Sequence, residues 1–116
     1  LEEDRLLKAL LFLRNDDLDA AHALVQQDSD GTGALIHAIL HRREGDYDNA
    51  KYWYQAVGEH PFYQRLRELF PKWKPAAFVN QCAAASEPQV LTSLERIQDL
   101  ELRLLTEWLR SQDGGN

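Results

Sequence analysis

Apolar residues recur three and four apart along nearly the whole chain, the spacing of one face of an α-helix. Leu6, Leu7, Leu10, Leu11 and Leu13 predict a helix over 2–14, and Leu18, Ala21, Leu24 and Val25 a second over 17–27. Asn15-Asp16-Asp17 separates them, and Asp16 or Asp17 can accept free N–H groups at the start of the second. The turn cluster Asp28-Ser29-Asp30-Gly31-Thr32-Gly33 leads into a helix over 33–44 that Gly45 closes. A fourth helix is expected over 46–57, ending at Gly58. Pro61 suits the first turn of a fifth, which carries Phe62, Leu66, Leu69 and Phe70 and stops at Pro71. Pro75 opens a sixth over 75–85. Ser86, with Gln89 three residues on, predicts a capping box for a seventh helix running to Arg110. Strand-like alternation of β-branched residues is missing. The expected architecture is all-α: about seven helices in one domain over residues 1–112, closed by a long C-terminal helix, with 113–116 a disordered tail.

Two segments repeat. Asn15-Asp16-Asp17-Leu18-Asp19-Ala20-Ala21 aligns with Glu44-Gly45-Asp46-Tyr47-Asp48-Asn49-Ala50 at an offset of 29 residues, and each lies between two predicted helices. In the second unit, Gly45-Asp46-Tyr47, Ala50, Tyr54 and Pro61 supply a turn, a small residue, an aromatic and a terminal proline. In this it resembles a tetratricopeptide repeat. Ala38 stands where that motif has glycine, the proline falls one residue early, and the offset is shorter than the roughly 34 residues of the repeat. The resemblance implies helix–turn–helix hairpins. The run from Ile36 to Trp53 (IHAILHRREGDYDNAKYW) is also similar to the signature of a small family of helical proteins of uncharacterised activity. That likeness implies a place for a site, not a reaction.

Composition narrows the function. The chain has 116 residues, 13 Lys+Arg against 19 Asp+Glu, and a net charge of −6, so it has no general attraction for phosphate backbones and nucleic acid is not expected as a partner. One cysteine cannot form an internal disulfide. No apolar run reaches the roughly 18 residues of a membrane span, and the acidic start is unlike a secretory signal. A cytoplasmic location without membrane association is expected.

Candidate chemistry centres on the third and seventh helices. At about 100° per residue, His37, His41 and Glu44 share one narrow face. His–x3–His is a helical metal-ligand spacing, but zincins carry Glu after the first His, and here Ala38 follows. A metal would need ligands from elsewhere, so neither metal nor cofactor is expected. In the seventh helix Arg96, Asp99, Arg103, Glu107 and Arg110 form a charged face, while Gln98 and Glu101 project from the apolar one. A carboxylate there demands a partner. The options are His37, His41, Arg42, Arg43 or the hydroxyls of Tyr47, Tyr52 and Tyr54. The expected cluster brings Gln98 and Glu101 to His37 or His41, with Glu44 on the same histidine face, or to an Arg, walled by Trp53 and Trp108.

Elsewhere Cys82 reads as a core residue, His22 as a surface or rim residue and His60 as a helix cap. Asp28-Ser29-Asp30-Gly31 lacks the distal Glu of a calcium loop, since Ile39 stands there. Three functions follow. The leading one is a tetratricopeptide-like module gripping a protein or peptide partner in a groove lined by Leu35, Ile39, Arg42 and Arg43. The alternative is a small-ligand or enzymatic site at His37, His41, Gln98 and Glu101; these residues would otherwise form a structural network. The third is a homodimer through an apolar stripe on the first or seventh helix.

Overall fold

The structure, a computed structural model, describes residues 2–114, with side chains from Glu2 to Gln112. It is all-α. Seven helices form and no strand occurs among the described residues: α1 (Glu2–Arg14), α2 (Leu18–Val25), α3 (Gly31–Glu44), α4 (Tyr47–Val57), α5 (Tyr63–Leu69), α6 (Pro75–Ala84) and α7 (Pro88–Gly114). Three starts differ from the sequence reading; α3 begins at Gly31, two residues before the expected 33. Tyr63 N–H bonds the His60 carbonyl at 2.9 Å, a tight turn that keeps Pro61 and Phe62 outside α5. Leu91 N–H bonds the Glu87 carbonyl at 2.9 Å, so Glu87, not Ser86, occupies the cap of α7. At its other end α7 runs to Gly114, through part of the expected tail; Gly115 and Asn116 lie outside the described residues.

The two repeated segments fold into the same turn. In the second, Gly45 takes a left-handed φ of 82°; its N–H bonds the Arg42 carbonyl at 3.1 Å, and Asp46 N–H bonds His41 at 2.9 Å. In the first, Asp16 takes φ 62°; its N–H bonds Leu13 at 3.1 Å, and Asp17 N–H bonds Phe12 at 2.8 Å. This pair of bonds is the Schellman closure of a helix. Each turn then starts the next helix alike: Asp17 accepts from Ala20 N–H at 3.3 Å and Asp46 from Asn49 N–H at 3.4 Å. The result is two helical hairpins, α1–α2 and α3–α4, stacked through α2 and α3.

Helix α3 is the centre. Every residue from Gly33 to Arg42 is buried, because α1, α2 and α4 pack around it. A helix apolar on nearly all sides must be enclosed. The long α7 closes the domain against α1 and α5, burying Leu94, Leu102, Leu105 and Leu109. Burying one such leucine is worth roughly 1.5–3 kcal/mol. This enclosure overturns the expected groove. Leu35, Ile39 and Arg42 are buried in the interior, and only Arg43 reaches the rim, where it bonds Asp16 at 3.0 Å.

Candidate functional site

Arg42 and Glu101 meet in the interior. Arg42 Nη2 pairs with Glu101 Oε1, and Nη1 donates to Glu101 Oε2 at 3.2 Å and to the Tyr54 hydroxyl at 2.8 Å. Gln98 Oε1 lies 3.4 Å from Nη2, and the guanidinium sits 4.7 Å from the Phe78 ring centroid. Burial by itself would lower the Arg42 pKa; the charge of Glu101, with its hydrogen bond, raises it instead, so the group stays cationic. Burial also drives the Tyr54 hydroxyl well above its ordinary value, so it stays neutral and accepts from Arg42. Both oxygens of this carboxylate have an internal partner, and the network ties α3 to α7.

The histidines form a separate cluster on another face of α3. The rings of His37 and His41 stack with centroids 4.7 Å apart, and Trp53 from α4 stacks on His37 at 4.2 Å. His22 from α2 meets His37 edge-on at 4.9 Å and His41 at 6.0 Å. Ring nitrogens of the three lie within 4.8 Å of one another, the gathering of possible ion-binding donors found among the described residues. His41 Nδ1 lies 2.9 Å from Glu44 Oε1, and its Nε2 3.4 Å from Asn49 Nδ2. The Asn49 amide nitrogen can only donate, so Nε2 accepts and the Nδ1–H donates to Glu44. His37 Nδ1 is buried and has no hydrogen-bond partner. Burial, then the neighbouring His41 and His22, hold the His37 pKa down at about 4.

The structure thus divides the expected cluster. His37, His41, Glu44 and Trp53 stay together, whereas Gln98 and Glu101 go to Arg42 on the other side of α3. The Tyr54 hydroxyl, one of the possible partners of Glu101, instead accepts from Arg42. Trp108 packs on His60 at 4.8 Å instead of walling the cluster. His60 accepts Phe62 N–H at 3.1 Å through Nδ1 and contacts Thr32 Oγ1 at 3.0 Å through Nε2; Phe62, not His60, holds the cap position of α5. Cys82 is half-buried in α6, and burial raises its thiol pKa. His22 is the residue that sequence reasoning placed alone at the rim. Its signal was its position next to Ala21, which packs inward from α2.

The surface carries several further depressions, one of them strongly apolar. A groove of about 480 Å³ runs between the α5–α6 turn and α7, lined by Leu69, Phe70, Trp73, Phe78 and Ile97, with Lys72 and Lys74 beside it. No family model, curated protein or solved structure matches the chain.

Proposed function

We propose that the chain is a helical partner-binding domain, with the groove between the α5–α6 turn and α7 as its docking surface. The occupant is an amphipathic peptide or helix with acidic flanks. The observation that carries this reading is Leu69, which is 54% exposed beside an apolar trough. An isolated surface leucine means little, but this one continues into Phe70 and Ile97. Val90 is exposed seven residues before Ile97, two turns earlier and on the same side of α7, which lengthens the apolar strip. Lys72 and Lys74 give the rim a positive charge on a chain of net charge −6, and so select acidic flanks. The tetratricopeptide-like resemblance of the hairpins agrees with a binding role; the groove lies outside them.

A display library of amphipathic helices selected against the protein tests this. Enriched sequences should share an apolar stripe with neighbouring Asp or Glu. Binding should be lost in Leu69→Glu and weakened in Lys72→Glu, with far-UV circular dichroism unchanged. Selection that enriches no such pattern, or binding indifferent to both substitutions, refutes the reading. Dimerisation abolished by Leu69→Glu would refute it too, by assigning the groove to a second copy.

A further inference from the structure

We propose that His22, His37 and His41 form a binding site for a borderline divalent transition-metal ion of the Zn2+ type, with one coordination position left open. This goes beyond partner binding and rests on different residues.

The donor set comes first. Two imidazoles sit one helical turn apart on α3 and the third comes from α2, so an ion here would tie the two hairpins together. Zinc holds nitrogen ligands at about 2.0–2.1 Å, which for a tetrahedral site puts the nitrogens about 3.4 Å apart. The three ring nitrogens already lie within 4.8 Å of one another. Closing that gap takes a shift of the half-buried His22 ring and of His41 against the His37 ring that Trp53 holds.

The buried nitrogen comes second. His37 is 4% exposed and its Nδ1 lacks a hydrogen-bond partner. Leaving a buried polar atom unsatisfied costs roughly 1–3 kcal/mol. Trp53 stacks on this ring and fixes its plane, so the nitrogen cannot swing out to water without breaking a packed contact. A metal bond at His37 would offset the cost.

The outer partners come third. Metal-bound histidines characteristically give their other N–H to a carboxylate, which fixes the tautomer and strengthens the ligand. His41 has this arrangement: Nδ1–H donates to Glu44 and the Nε2 lone pair faces only the long contact with Asn49. Imidazole nitrogens select Zn2+, Cu2+, Ni2+ or Co2+ and reject Mg2+ and Ca2+, which take oxygen. Three protein ligands leave the fourth position to water or a small anion.

Calorimetric titration of the full chain with ZnCl2, after EDTA treatment and dialysis, tests the site. The expected result is one ion per chain with Kd of about 1 µM or tighter, and no heat with MgCl2. His22→Gln and His41→Gln should each weaken binding by at least about 10-fold, provided that circular dichroism matches the parent. Should either variant fail to fold, imidazole nitrogen NMR of the unaltered protein decides the matter. Zn2+ should shift His22, His37 and His41 and leave His60 in place. Absence of binding, binding equal in both folded variants, or shifts confined to other residues overturns the proposal.

Discussion

Arg42 and Glu101 stand 59 residues apart in the chain and form an ion pair whose two side chains are each 1% exposed. No water-facing route offsets the loss of either partner. Removing one member of a buried pair strands a charge and costs about 3–5 kcal/mol, whereas replacing both by apolar groups of similar size is often neutral. Glu101→Gln and Arg42→Met should therefore each lower the urea midpoint by an amount equivalent to about 3–5 kcal/mol. The double variant Arg42→Met/Glu101→Leu should recover most of that loss. Additive losses in the double variant would show that the two residues act independently.

The same pair separates what local pattern encodes from what docking decides. Periodicity located seven helices, and Glu101 betrayed its need for a partner by projecting from the apolar face of α7. Which partner it takes depends on how α7 turns about its axis as it docks, and no local pattern encodes that angle. The groove assigned to Leu35 and Ile39 failed for a related reason. A groove needs α3 to keep one face open, yet Leu35, Ile36, Ala38, Ile39 and Leu40 make it apolar nearly all round. His22 escaped because its neighbours lie on another helix, 15 and 19 residues further along.

The paired turns differ in one residue, and that difference is measurable. Asp16 and Gly45 hold equivalent left-handed positions, φ 62° and 82°. A side chain there costs roughly 1 kcal/mol relative to glycine. Asp16→Gly should stabilise the protein by about 0.5–1 kcal/mol, less the small worth of an exposed contact with Arg43. Gly45→Ala should destabilise it by about 1 kcal/mol. Thermal melts of the two variants are expected to move in opposite directions; a shared direction would contradict the equivalence of the turns.

Stability should fall in mild acid through His37. The unfolded imidazole takes up its proton near its ordinary 6.5, the folded one only at about 4. Between those values the unfolded chain binds the extra proton, so stability is complete above about pH 6.5 and drains as the pH drops. The loss approaches about 3 kcal/mol by pH 4. Burial opposes the added charge most, then His41 and His22 repel it, while Asp28 favours it. His37→Phe keeps the stack on Trp53 and removes the titration. Urea midpoints measured in EDTA should therefore be less pH-dependent in His37→Phe than in the parent over this range. Equal slopes would mean that the acid sensitivity originates in other groups.

Removal of α7 tests whether the hairpins are a self-sufficient unit. Truncation after Ser86 takes away Glu101, leaving the Arg42 guanidinium with Tyr54 as its one remaining hydrogen-bond partner among those described. It also uncovers the side of α1 and α5 that Leu102, Leu105 and Leu109 help to close. Both effects act in the same direction, and the electrostatic one can be relieved separately. The truncated chain should show depressed helicity and no cooperative melt. Adding Arg42→Met should restore part of the helicity, because the stranded charge is gone while the uncovered apolar surface remains. A truncated chain that melts cooperatively with full helicity in α1–α4 would instead make α7 a detachable cap, with Arg42 satisfied by solvent.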